Sequence, residues 1–136
     1  MKKAVLAVLC VAICGSALAG WEELSSSADG KTTFYADAST IHKAGTSLRM
    51  WTLIDYQEAQ PISADRHYLS VKMLEEINCE ELKARHLNLA AFSEHKGAGK
   101  MVGSEKKPAA WRQLPHDPGV EITINFACNR PAATQP

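Results

Sequence analysis

SLRMWTLIDY, residues 47–56, is the stretch of sequence that decides the fold class of this 136-residue chain. Its side chains alternate between two sets with a period of two: Leu48, Met50, Thr52 and Ile54 on one side, and Arg49, Trp51, Leu53 and Asp55 on the other. A period of two places alternate residues on opposite faces of an extended chain, which is the signal of a β-strand. The segment therefore predicts a β-strand, the clearest in the chain.

The flanking segments extend the same pattern in both directions. Strands are predicted, in chain order, at residues 21–26, 32–37 and 66–77, with shorter extended pieces at 100–102 and 111–114. The segments between them predict turns and loops: 28–30, a turn or single helical turn at 38–41, a turn at 42–45, and a loop at 58–65 that contains Pro61. The chain is therefore expected to be mainly a sheet protein.

Two segments stay ambiguous between helix and strand. In residues 80–92, one set of side chains forms a helical face and an overlapping set alternates as in a strand. In residues 120–128, Ile122, Ile124 and Phe126 alternate, whereas Val120, Ile124 and Ala127 form a helical stripe. Both interpretations stay open on the pattern alone.

The N-terminal nineteen residues predict a signal peptide. Lys2 and Lys3 form a basic start, residues 4–14 are apolar, and residues 17–19 read Ala-Leu-Ala, so cleavage is expected between Ala19 and Gly20. The apolar run is too short for a permanent membrane span. The style of the segment is bacterial, which places the mature chain in the periplasm or at the outer-membrane surface of a Gram-negative cell. No lipid anchor is expected, because Ile13 precedes Cys14 where a lipoprotein needs a small residue.

The exported part, residues 20–136, fits one domain, expected at 20–130 and followed by a disordered tail at 131–136. It carries 13 basic and 15 acidic residues once Lys2 and Lys3 are removed, so no nucleic-acid partner is expected. Of the four cysteines, only Cys79 and Cys128 remain, which allows one intramolecular disulfide in an oxidising compartment. The five histidines are scattered without metal-ligand spacing, so neither a metal nor a cofactor is expected.

A basic stretch near the C-terminal half is the candidate ligand patch. Its members are Lys96, Lys100, Lys106, Lys107 and Arg112. If they converge on a hairpin, they can bind an acidic segment of a host protein or a sulfated glycan. The alternative is a hairpin whose charges are simply solvated.

The aromatic residues offer a second candidate, and catalysis finds little support. Trp21, Trp51, Trp111, Tyr35 and Tyr68 form either an exposed binding face or part of the core.

Catalytic candidates are limited to the carboxylates of Asp37 and Asp55 and to the Ser39 and His42 pair, and no G-x-S-x-G motif occurs. The chain is not expected to be an enzyme.

Taken in order, these residues resemble the surface-adhesin protein E family. The resemblance is carried by Trp21, FYADASTI at 34–41, Gly45, RMW at 49–51, Asp55 and Tyr56, YLSVK at 68–72, Glu75, Cys79, Arg85, GAGK at 97–100, Trp111, Pro118 and Gly119, and Cys128. It covers nearly all of residues 21–128. The sequence departs from the family after Gly119, where Val120 and the β-prone Ile122-Thr123-Ile124 follow.

The resemblance implies an α+β fold, namely an antiparallel sheet of about six strands with one C-terminal helix packed on it. It makes residues 80–92 a strand and residues 120–128 the helix, joined by a Cys79–Cys128 bond. It implies an exported adhesin that binds host matrix or serum proteins of the vitronectin or laminin type. The alternative is a periplasmic structural or accessory protein with a bacterial partner. Exposed edge strands make a homodimer plausible.

Overall fold

The computed structural model describes residues 20–130, which form seven strands and one α-helix. In chain order these are β1 (Trp21–Ser26), β2 (Thr32–Ala44), β3 (Ser47–Ser63), β4 (Arg66–Asn78), β5 (Lys83–Phe92), β6 (Met101–Glu105), β7 (Arg112–Gln113) and α1 (Pro118–Cys128). A short 3-10 helix, His95–Gly97, lies between β5 and β6. The predicted signal peptide at 1–19 and the predicted disordered tail at 131–136 lie outside the described residues.

The strands form one antiparallel sheet in the order β1-β2-β3-β4-β5-β6. β5 also pairs with β7, through Lys83 and Ala84, while its far end from Leu89 to Phe92 pairs with β6. The expected α+β fold, an antiparallel sheet with one C-terminal helix and one disulfide, is confirmed. No helix within residues 20–130 is long and apolar enough to cross a membrane.

Two predicted breaks are wrong, because the strands continue through them as bulges. The turn expected at 38–41 lies inside β2, where the pairing with β3 shifts between Asp37 and His42. The Thr40 hydroxyl receives the Trp51 amide at 3.0 Å there, and replaces a backbone acceptor. Likewise, β3 runs through Pro61 to Ser63, with register shifts on either side. Proline is tolerated in sheets at such irregular positions. The turn expected at 42–45 is displaced toward the C-terminus, because β2 continues to Ala44 and the chain turns at Gly45 and Thr46.

The two ambiguous segments resolve as the resemblance implied. Residues 83–92 form a strand, and residues 118–128 form the helix. The helix begins with proline, and the Asp117 side chain accepts hydrogen bonds from the amides of Gly119 at 2.9 Å and Val120 at 3.3 Å. A capping carboxylate followed by proline is a strong start signal, and it outweighs the β propensity of the isoleucines.

The core lies between the helix and one side of the sheet. Val120, Ile124 and Ala127 of α1 pack against a patch of small and apolar strand residues, namely Ala36, Ile41, Met50, Ile77 and Ala84. The side of the sheet that carries these residues is called the helix face. The opposite side, which α1 does not cover, is called the open face.

The disulfide fixes the far end of the helix to the sheet. Cys79 follows β4 directly and Cys128 is the last helical residue, with Cα atoms 5.8 Å apart. Next to it, Arg130 pairs with Glu22 of β1 at 3.2 Å. Both ends of α1 are therefore tied down, one by its cap and one by a covalent bond.

Candidate binding face of the sheet

The open face carries two tryptophans with an aspartate between them, on three neighbouring strands. Trp21 of β1 lies opposite Asp37 of β2, which in turn lies opposite Trp51 of β3. Neighbouring strands are about 4.8 Å apart, so the two indoles flank one carboxylate on the same side of the sheet. Tyr35, two residues from Asp37 on β2, lies in the next row. All four side chains are partly exposed.

Trp111 adds a second aromatic cluster on the same face. Two cations of β5 lie over its ring: Lys83 Nζ is 4.7 Å and Arg85 Cζ is 4.4 Å from the ring centroid. The Arg85 guanidinium also pairs with Glu76 of β4 at 3.4 Å. Cations stacked on aromatic rings form amphipathic contact surfaces at protein interfaces.

The aromatic hypothesis therefore has a mixed outcome. None of the five predicted aromatics belongs to the fully buried core, and four of them lie on the open face. Tyr68 instead meets Tyr56 edge to face, with centroids 5.6 Å apart. Burial raises the pKa of the Tyr56 phenol, with a smaller contribution from neighbouring Tyr68.

The connection between β5 and β6 folds back over the open face and is anchored on two side chains. Asp55 accepts the Lys96 amide at 2.6 Å, and the buried Ser70 hydroxyl donates to the Glu94 carbonyl at 2.6 Å and accepts the Gly97 amide at 2.8 Å. Lys96 has a φ of 55°, the left-handed region that non-glycine residues seldom occupy. Fixed anchors and an unusual backbone together hold Lys96 in one place.

The structure does not gather the five predicted patch residues into one cluster. Lys96 Nζ lies 5.3 Å from the centroid of the Tyr35 ring, and so belongs to the open face. Lys100 directly precedes β6, while Lys106 and Lys107 follow it in an exposed loop at the sheet edge. Arg112 of β7 lies opposite the core residue Ala84 of β5, which places Arg112 on the helix face.

Arg112 serves the helix face by pairing with two carboxylates. Its guanidinium nitrogens lie 3.7 Å from a Glu75 oxygen and 3.5 Å from an Asp117 oxygen. Glu75 is 3% exposed, and this burial raises the pKa of its carboxyl; the charge of Arg112 opposes that rise and the charge of Asp117 adds to it. Arg112 is therefore engaged within the molecule.

Sequence reasoning missed several cations of the open face, among them Lys72, Lys83 and Arg85. Lys72 Nζ lies 5.2 Å from the Phe92 ring centroid, and its side chain packs under Gly97. The alternation of β4 and β5 carried the signal, because these cations share a strand face with partly buried aromatics. Clustering along the chain, as at 94–107, is a weaker guide than alternation across strands.

The catalytic candidates are separated and engaged in local structure. Asp37 faces Trp51, which is four residues from Asp55 along β3, or about 13 Å. The Asp37 carboxylate accepts the amide and hydroxyl of Ser39, and His42 Nδ1 contacts the Thr40 carbonyl at 2.9 Å. Within residues 20–130, no three His, Cys, Asp or Glu side chains come together in a way that could hold a metal ion.

Comparisons with known proteins agree with this architecture. A model of the surface-adhesin protein E family matches residues 21–129. The chain is similar in structure to Haemophilus influenzae protein E. One such structure has a TM-score of 0.63 at 15% identity, over 82% of this chain and 85% of that one. Another, from non-typeable Haemophilus influenzae, has a TM-score of 0.64 at 15% identity, over 82% of this chain and 76% of that one. No curated protein matches the sequence significantly.

Proposed function

This chain belongs to the surface-adhesin protein E family, and we propose that it is an exported bacterial adhesin whose open face binds a host matrix or serum protein of the vitronectin or laminin type. Family membership makes a surface-exposed binding protein the starting point, and implies host proteins as partners. The identity of the partner and the use of the open face are the parts that we add.

One observation carries this proposal: partly exposed tryptophans and stacked cations share the side of the sheet opposite α1. Trp, Tyr and Arg are the residues that most often dominate the binding energy of protein interfaces. Trp21, Trp51 and Tyr35 are anchored in rigid strands, so little conformational entropy is lost when a partner covers them. Lys72 and Lys96 flank them and complement an acidic partner surface.

Export and processing belong to the same proposal. We expect cleavage between Ala19 and Gly20, one domain at 20–130, a disordered tail at 131–136, and no lipid anchor. A protein without an anchor has a second candidate function, that of a periplasmic accessory protein with a bacterial partner. In both cases the role is binding without catalysis, the partner is a protein, and the free sheet edges permit a homodimer.

The experiment combines exposure and binding. Antibody access on intact cells, compared with periplasmic release, measures location, and surface plasmon resonance with immobilised vitronectin and laminin measures binding. We expect surface exposure and a Trp51→Ala loss of roughly tenfold or more in affinity. Phe34→Ala is the matched control, because Phe34 is an exposed aromatic on the helix face and should change affinity less than roughly twofold.

Charge reversals separate the two basic surfaces. Lys96→Glu, on the open face, should weaken binding and reduce its salt dependence, whereas Lys100→Glu and the Lys106→Glu/Lys107→Glu pair test the edge loop. A larger loss of affinity from the edge-loop variants than from Lys96→Glu would assign the binding site to the edge loop. Purely periplasmic protein that binds neither host protein would overturn the adhesin proposal and favour the accessory role.

A further inference from the structure

A cavity of about 440 Å³ lies on the helix face, beside the start of α1. Phe34, Ile54 and Met73 of the sheet form one wall, and Pro118, Gly119 and Ile122 of the helix form another. Its volume falls in the range of roughly 300–1,000 Å³ that is usual for small-molecule sites. It lies across the sheet from the open face, so nothing in this inference depends on the proposed adhesin function.

The cavity also has a polar end, formed by Glu75 and Arg112. Glu75 is 3% exposed, yet its Oε2 atom has no hydrogen-bond partner, because the nearest guanidinium nitrogen of Arg112 is 3.7 Å away. The buried hydroxyl of Thr52, on the same wall, lies close enough to Glu75 to lower the pKa of its carboxyl, but too far away for a full hydrogen bond. Buried polar atoms are seldom left unpaired, and those that are require a specific explanation.

The charges at this end are unbalanced toward the negative. Arg112 is shared between Glu75 and Asp117, so two carboxylates face one guanidinium. Asp117 uses one oxygen to cap the helix, whereas Glu75 makes no such contact. His86, opposite Glu75 in the strand pairing, also lines the cavity. The group that best complements Glu75 is therefore a positively charged hydrogen-bond donor.

We propose that this cavity binds a small amphipathic cation, with an apolar body and one ammonium-type end. The apolar body lies against Phe34, Ile54 and Met73, and the cationic end donates to Oε2 of Glu75. Binding then supplies the missing partner of a buried acceptor and removes apolar surface from water at the same time. An anionic amphiphile would place its charge against the Glu75 carboxylate and is disfavoured.

Three probes with the same alkyl chain test the head-group preference: n-octylammonium, n-octanoate and 1-octanol. Calorimetric titration of the oxidised protein should give the tightest binding for octylammonium, by roughly tenfold over octanol. Methyl chemical shifts should change at Met73 and Ile122 and not on the open face. Glu75→Gln should abolish the preference for the cation while keeping octanol binding unchanged.

Glu76→Gln is the matched control, because Glu76 is the next residue on β4 but points to the open face and pairs with Arg85. It should leave all three affinities unchanged. Tighter binding of octanoate, equal binding of the three probes, absence of binding, or shifts outside the cavity would each overturn the proposal. If Glu75→Gln does not fold, the head-group series and the shifts on the unaltered protein still decide.

Discussion

Removal of the disulfide should cost this protein a large part of its stability. The Cys79–Cys128 bond has a sequence separation of 49 residues, so in the unfolded chain it closes a long loop. The chain-entropy relation assigns such a loop about 4 kcal/mol of stabilisation. Total stabilities of single domains are about 5–15 kcal/mol, so the reduced protein should remain folded only marginally. For a domain of this length, the loss corresponds to a fall in Tm of roughly 17 °C.

The assay is guanidinium unfolding of a Cys79→Ala/Cys128→Ala variant, followed by tryptophan fluorescence and far-UV circular dichroism. Wild-type protein reduced with a phosphine is the control, because it lacks the same disulfide bond but keeps both cysteine side chains. Both forms should lose about the same free energy relative to the oxidised protein. The m-value should rise in both, since an unfolded chain without the cross-link exposes more surface.

A loss below about 1 kcal/mol in both forms would refute the loop-entropy reasoning for this protein. A second refutation would come from amide exchange. If the bond acts mainly by holding the end of α1 in the folded state, protection in the helix would collapse while protection in β3 and β4 remained. The chain-entropy account instead predicts that all globally protected amides lose protection together.

Three further predictions follow from single contacts. Asp117→Ala removes the helix cap and should destabilise the protein by about 1 kcal/mol in chemical unfolding, whereas Asp117→Asn keeps the cap and should lose less. Ser70→Ala removes the partner of two backbone groups, the Glu94 carbonyl and the Gly97 amide, and should cost about 1–3 kcal/mol, with faster amide exchange at Gly97. The folded-state pKa of Glu75 is raised, so its contribution to stability is lost as pH rises from the unfolded pKa through the folded one. The stability of Glu75→Gln relative to wild type should therefore increase from acidic to neutral pH.

Sequence patterns predicted the sheet well where alternation was long and uninterrupted. The period of two in residues 47–56 follows the two sides of β3, because Met50 packs in the core under the helix whereas Arg49, Trp51 and Asp55 lie on the open face. The same pattern failed beyond Tyr56, where Pro61 and several polar residues indicated a loop. Bulges carried the strand through this segment, and a bulge depends on its partner strand, so it leaves little trace in the local sequence.

The helix shows the opposite balance between local and tertiary effects. Ile122-Thr123-Ile124 favours a strand, but Asp117 and Pro118 start a helix and the disulfide fixes its end. The sheet also offers a ready surface of small residues for Val120 and Ile124. Local alternation cannot report what a segment will pack against, so the resemblance to a family was needed to decide between the two.

The candidate site could be predicted only in part for a related reason. Lys96 was identified from a charge cluster, and it does reach the open face through its anchored backbone. Arg112 belonged to the same cluster in sequence but lies on the opposite face, because the register of β7 on β5 aligns it with Ala84. Lys96 and Arg112 are therefore near in sequence but lie on opposite faces, because their positions depend on strand pairing and not on their spacing along the chain.

The two surfaces proposed for binding exist because one short helix covers a large sheet. An 11-residue helix is about 16 Å long, whereas 13 strand residues extend about 43 Å, so α1 leaves part of its own face and all of the other uncovered. The cavity and the open face are therefore separate sites on the two sides of β3 and β4. Trp51→Ala should leave octylammonium binding unchanged, and Glu75→Gln should leave host-protein binding unchanged. An effect of either substitution on the other site would show that the strands transmit changes between the faces, and would contradict their independence.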